Sequence, residues 1–109
     1  MSNKFNAKIT IYNGIKFHSA KEANYCIRLD LLKKATGRDK VLKYDRQVRY
    51  DIIVNGICIG FYKLDFEVYY SDRIEYIDVK GCKKGCAYQL FRLKKKLVEA
   101  IHGIKIIEK

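Results

Sequence analysis

Asn55-Gly56 stands between two long runs of strand-forming residues, 47–54 and 57–70. Both residues of that dipeptide tolerate the left-handed backbone of a type I′ turn, and the twist of such a turn matches that of paired strands. The two runs are therefore expected to form a hairpin. Gly60 predicts a bend in the return strand. Ser71-Asp72 turns the chain again, and 73–80 reads as a third strand, so an antiparallel meander is expected. A second Asn-Gly, Asn13-Gly14, joins 8–12 to 15–17 in a small N-terminal β-hairpin.

Helical spacing occupies the two gaps left by these strands. Ser19 can cap a first helix, and Glu22 follows at the capping-box distance. Tyr25, Ile27, Leu29 and Leu32 supply its apolar stripe. Gly37 suits the position just beyond its end, and 37–43 becomes a basic connection. A second helix is expected over 87–101. It would bury Leu90, Leu93, Leu97 and Ile101 and turn Gln89, Arg92, Lys95, Lys96 and Glu99 to solvent. Gly103 would end it and 104–107 would form a last strand. A strand-helix-strand unit predicts that this strand lies parallel to 73–80. The fold class is thus α/β, a mixed α+β sheet with an α-β-β-β-α-β core behind the hairpin. A chain of 109 residues implies one domain over 1–109.

Composition narrows the function. There is no apolar segment of signal-peptide or membrane-span type, so a cytoplasmic protein without membrane contact is expected. Cys26, Cys58, Cys82 and Cys86 should then stay reduced. The Cys82–Cys86 spacing falls in the loose range of zinc ligands. Yet no second close pair follows, and His18 and His102 are remote, so small buried or loop thiols are the favoured reading. With 23 Lys and Arg against 12 Asp and Glu, the net charge of +11 points to a polyanion. From Lys80 onward nine basic residues face only Glu99 and Glu108, which makes DNA contact a better expectation than a merely solubilising surface.

The third strand carries the chemistry. In Ile77-Asp78-Val79-Lys80-Gly81, alternation points Asp78 and Lys80 to one face and Val79 to the other. A carboxylate there can hold a divalent metal through hard oxygen ligands. A lysine beside it can orient or help deprotonate the attacking water, or stabilise charge on a phosphate. Asp65 lies six residues before Ser71 and Asp78 six after Asp72, so pairing about that turn is expected to set them opposite each other. Leu64 and Phe66 would face the core. An ordinary cross-strand ion pair is the plainer account of an Asp and a Lys. Matched register, the helix behind and the positive charge favour catalysis. Glu22 is either half of a capping box or a further carboxylate. Glu67 reads as a solvent-exposed neighbour of Asp65, and Lys94 could point to the site or to a phosphate. Tyr44, Tyr50, Tyr62, Tyr69, Tyr70, Tyr76 and Tyr88 read mainly as strand-surface or core residues, and base stacking is their other use.

Leu64-Asp65 followed by Asp78-Val79-Lys80, with Glu22 on the preceding helix, resembles the PD-(D/E)XK nuclease superfamily. Lys4-Phe5-Asn6-Ala7-Lys8, Gly14-Ile15-Lys16-Phe17, Ser19-Ala20-Lys21-Glu22-Ala23, Asp78-Val79-Lys80-Gly81 and Phe91-Arg92-Leu93-Lys94 are similar to a group of small phage-encoded members, over roughly 4–107. That group in turn resembles archaeal-type Holliday-junction resolvases, which are dimers. The resemblance implies a restriction-endonuclease-like core, a Mg²⁺- or Mn²⁺-dependent endonuclease and a role in DNA recombination. It assigns Glu22, Asp65, Asp78 and Lys80 to catalysis. Asp65, Asp78 and the Val79 carbonyl would hold the metal, with Glu22 reaching it through water. Lys83, Lys84, Lys94, Lys95 and Lys96 would bind DNA, probing a branched substrate as a homodimer in the host cytoplasm. Leu64 replaces the family's proline, which supplies no ligand. Val48 follows Gln47 where relatives often carry proline, which leaves Gln47 without an assigned role. The rival expectations are a basic nucleic-acid-binding protein without catalysis and a nuclease of the same superfamily acting on linear DNA.

Overall fold

The computed structural model describes residues 10–17, 19–79 and 85–109. In chain order the elements are β1 (Thr10–Tyr12), β2 (Ile15–Phe17), α1 (Ala20–Leu32), a short 3-10 turn (Gly37–Asp39), β3 (Lys43–Val54), β4 (Ile57–Tyr69), β5 (Ile74–Asp78), α2 (Cys86–His102) and β6 (Ile106–Glu108). β1 and β2 form a separate antiparallel hairpin. The other strands make one mixed sheet in the order β3-β4-β5-β6, antiparallel except for the β5–β6 pair. Behind the hairpin, the order is the α-β-β-β-α-β that periodicity and turn chemistry predict.

Both Asn-Gly turns have the left-handed backbone that the dipeptide predicts. Asn13 and Gly14 take φ of 54° and 78°, and Asn55 and Gly56 take 52° and 79°. Two consecutive positive φ values are the type I′ signature, and Asn and Gly adopt them at little steric cost. The bend near Gly60 is a bulge: Ile52 pairs with Gly60 but Ile53 pairs with Cys58, leaving Ile59 as the extra residue.

Two boundaries move. α1 stops at Leu32, short of Gly37. Its last turn tightens through Lys34 N–H to Leu31 O and Ala35 N–H to Leu32 O, and the incoming Val41 N–H also takes the Leu32 carbonyl at 3.1 Å. Gly37 does adopt a left-handed φ of 83°, but to start the 3-10 turn. β3 begins at Lys43 rather than 47, because the far end of β4 pairs with it: Lys43 with Tyr69, Tyr44 with Val68, Arg46 with Phe66.

The core has two parts. Phe17, Ala23, Cys26, Leu29, Val41, Phe66, Val68 and Ile77 gather under α1. Ile52, Tyr62, Leu64, Val98 and Ile106 gather under α2. Successive inward residues of β4, Leu64 and Phe66, thus belong to different clusters, and Asp65 lies where one gives way to the other. Area burial on this scale is the main stabilising term in so small a chain.

α2 is rotated from its expected setting. Leu90, Leu93 and Ile101 are 55%, 57% and 41% exposed, while Val98 is buried and Phe91 and Leu97 pack beside it. Lys95 and Glu99, expected in solvent, turn towards β6. Lys95 Nζ meets Glu108 Oε2 at 3.0 Å, and Glu99 Oε2 accepts the Ile106 N–H at 2.8 Å. Phe91 settles against Tyr62, ring centroids 5.9 Å apart. An aromatic contact and two polar links to β6 thus select the 91/95/98 face over the leucine stripe. No helix among the described residues is long and apolar enough to cross a membrane.

Candidate active site

The β4–β5 ladder runs Tyr69–Ile74, Val68–Glu75, Glu67–Tyr76, Phe66–Ile77. One step further along this register Asp65 stands across from Asp78, as the symmetric spacing about Ser71-Asp72 predicts. The two residues are tied together. The Asp65 N–H donates to Asp78 Oδ1 at 3.4 Å, and the Val79 N–H donates to Asp65 Oδ2 at 2.9 Å. On its other side Asp78 is held by β6: it pairs with Glu108, and its carbonyl accepts the Lys109 N–H at 2.7 Å. Asp78 is 1% exposed and Asp65 half-buried. A carboxylate buried this far requires polar partners, which the strand ends supply.

The third carboxylate arrives from α1. Ser19 caps that helix, its Oγ accepting the Glu22 N–H at 3.1 Å. This is the backbone half of a capping box. The Glu22 carboxylate meets the sheet: Gln47 Nε2 donates to its Oε2 at 3.1 Å, and Arg46 Nη2 stands 3.6 Å from the same oxygen. Arg46 is fixed in turn over the Phe17 ring, 4.2 Å from its centroid. The same Gln47 amide reaches Asp65 Oδ1 at 3.4 Å. Gln47 therefore joins Glu22 to Asp65, and Asp65 joins Asp78 and Val79.

Gln47 carries the backbone irregularity of the site. Its φ is 53°, the one left-handed non-glycine described outside the two Asn-Gly turns. It interrupts the β3–β4 ladder between Arg46–Phe66 and Val48–Leu64. Strained backbone inside a strand concentrates at functional positions. Nothing local in the residues around Gln47 marks this φ. Its weak signal was a lone amide set into a run of strand formers, opposite Asp65 in the hairpin register.

These residues suit a hard divalent cation. Asp65 and Asp78 put two carboxylates side by side at the end of a sheet, with Val79 next in the chain. Magnesium is commonly held by one or two carboxylates, with waters and substrate phosphate filling its remaining positions. Among the described residues no group of three His, Cys, Asp or Glu is close enough to hold an ion. Glu22 accordingly fits an outer position, joined to Asp65 through the Gln47 amide.

Residues 2–105 match a family described as a protein of unknown function, DUF1064. The chain belongs to that family. No curated protein and no solved structure matches it.

The other predicted residues of this DUF1064 chain differ in their placement. Lys80, Lys83 and Lys84, with Cys82 and His18, lie outside the described residues. Lys94 is half-buried and leans over Phe61, 6.0 Å from its ring centroid, while Lys95 is spent on Glu108. Lys96 is exposed and, with Gln89, Arg92 and Leu93, lines a shallow depression of about 240 Å³ on the outer face of α2. Glu67 is not the solvated neighbour expected. It accepts the Tyr50 hydroxyl at 2.6 Å and the Tyr69 hydroxyl as well. Burial and that carboxylate push the Tyr50 hydroxyl pKa up. Tyr44 is likewise tied down, donating to Asp30 Oδ1 at 2.7 Å, and Tyr62 is buried, so these tyrosines are structural rather than base-stacking. Cys26 is a buried thiol, pushed up in pKa by burial, while Cys58 and Cys86 are exposed free thiols.

Proposed function

We propose that this chain is a metal-dependent DNA endonuclease of the PD-(D/E)XK type with a restriction-endonuclease-like core, acting on branched DNA as a phage-type junction resolvase in the cytoplasm. The observation that carries the reading is the juxtaposition of Asp78, at the end of β5, with Asp65 of β4, linked through Gln47 to Glu22. The basic charge supplies a second line of support, since +11 on 109 residues favours a polyanionic substrate.

In this reading Asp65 and Asp78 would hold Mg²⁺ or Mn²⁺ together with the Val79 carbonyl, and Glu22 would contribute through water. The bound ion supplies Lewis acidity at a phosphoryl oxygen and lowers the pKa of a bound water. Lys80, two residues beyond Asp78, positions the attacking water. Gln47 keeps the Glu22 and Asp65 carboxylates from turning away. Lys96 meets backbone phosphate; Lys95, paired with Glu108, does not. Two copies on one branched substrate would place two such sites on opposite strands.

The test is cleavage of a labelled four-way DNA junction beside linear duplex and single strand, with Mg²⁺ and with EDTA. Metal-dependent cutting of the junction, abolished in Asp78→Asn with binding retained, is the expected result. Equal cutting of all three substrates keeps the nuclease and removes the junction preference. Binding without cutting in any metal overturns the enzyme and leaves a basic nucleic-acid-binding protein.

A further inference from the structure

A groove of about 210 Å³ opens beside the candidate site, lined by Lys21, Asn24, Tyr25 and Arg28 of α1, by Val79 and by Lys109. Its lining holds three cationic side chains and no acidic side chain. Lys21 precedes Glu22 in the chain and Val79 follows Asp78, so the groove begins where the acidic cluster ends. Its shape is set by elements the site already uses. Lys21, Asn24 and Arg28 recur at helical spacing and share one face of α1. Lys109 is brought alongside by its N–H bond to the Asp78 carbonyl. Arg28 and Lys109 are exposed, and among the described residues no carboxylate lies within ion-pair distance of either.

We propose that this groove binds a backbone phosphate of a nucleic-acid strand next to the phosphate held at Asp65 and Asp78. Deepening the nuclease reading, it rests on it for the identity of the neighbouring site. Several features suit one phosphate rather than a base. The groove is small, an arginine can present a planar fork to phosphate oxygens, and the Asn24 amide adds a donor. Tyr25 forms the half-buried wall, and burial pushes its hydroxyl pKa up to about 12, so at neutral pH it remains a donor. The predicted DNA-binding lysines all lie from Lys83 onward. This groove instead puts cations from the first helix on the strand path.

The experiment measures binding of a short DNA duplex and of a single strand in EDTA, across a salt series. The variants are Arg28→Ala and Lys109→Ala, with Lys34→Ala, exposed beyond the end of α1, as control. Inorganic phosphate is titrated separately. Each groove variant is expected to weaken DNA about fivefold at low salt and to make the plot of log affinity against log salt shallower by about 0.7–0.9, one phosphate contact. Competition by millimolar inorganic phosphate, lost in Arg28→Ala, would support the same site. Slopes equal to wild type in both groove variants overturn the proposal, as does an equal loss in Lys34→Ala. Metal-dependent cleavage with unchanged slopes would sink the groove and leave the nuclease. Reduced slopes without cleavage in any metal would sink the nuclease and leave the groove.

Discussion

The left-handed backbone of Gln47 makes a prediction whose sign runs against the usual order of strand residues. An L-residue held at φ near 53° costs about 1–2 kcal/mol relative to the ordinary strand region. Gln47→Ala keeps that cost and loses the two side-chain hydrogen bonds to Glu22 and Asp65. Gln47→Gly loses the same bonds but relieves the backbone, against a strand penalty for glycine of about 0.5–1 kcal/mol. Glycine should therefore be the more stable replacement by about 0.5–1 kcal/mol. For a domain of this size that is a difference in Tm of roughly 2–6 °C. Lys63, exposed on β4 with no positive φ, provides the control, where Ala should exceed Gly. Urea unfolding of the four variants measures it. If Gln47→Ala equals or exceeds Gln47→Gly, the backbone at 47 is not strained and the argument for a constrained site residue fails. If the chain has the proposed metal-dependent activity, that activity should fall in both Gln47 variants together, although their stabilities diverge.

Two further outcomes follow from the described contacts. Burial raises the Asp30 carboxyl pKa, but the hydroxyls of Tyr12 and Tyr44 and the Lys33 ammonium outweigh it and hold the carboxyl below its ordinary value. A depressed folded pKa contributes stability that is present above the unfolded carboxylate value, about 3.9, and lost as pH falls through the folded one. Tyr12→Phe/Tyr44→Phe should accordingly lose less unfolding free energy between pH 6 and pH 3 than wild type, and an equal loss by denaturant titration would refute the assignment. Lys95→Ala should lower stability by about 1 kcal/mol, because it leaves half-buried Glu108 without that partner, yet leave the salt dependence of DNA binding unchanged. Lys96→Ala should do the reverse, and a swapped result would mean that α2 presents its other face.

Features fixed by local chemistry were legible before the structure. The two Asn-Gly turns, the bulge near Gly60, the end of α2 at Gly103 and the parallel last strand all depend on backbone preferences or chain connectivity. The features that sequence misplaced depend on partners remote in the chain. On sequence alone 37–43 reads as a basic connection and the strand starts at 47, and only pairing with the far end of β4 makes 43–46 strand. The leucine spacing of α2 is a genuine helical stripe. Helical spacing does not say which of two apolar faces meets the sheet, and the Phe91–Tyr62 contact and the links from Lys95 and Glu99 to β6 decide it.

The same division explains the candidate site. Asp65 and Asp78 could be paired by counting outward from one turn, because antiparallel register is arithmetic once the turn is known. Glu22 could not be settled that way, since a capping glutamate and a site glutamate share one spacing. In the fold the two roles divide between backbone and side chain: the Glu22 N–H serves the Ser19 cap, and the carboxylate turns to Gln47 and Arg46. On sequence alone the missing proline after Gln47 leaves that residue without an assigned role. Its importance comes from a backbone angle and two long-range contacts, and neither leaves a local trace. A residue that breaks the strand ladder, accepts an unfavourable φ and spends its amide on two carboxylates is hard to explain as packing. It is better explained as a positioning residue that holds acidic groups from α1 and β4 in one place, whatever ion or substrate they serve.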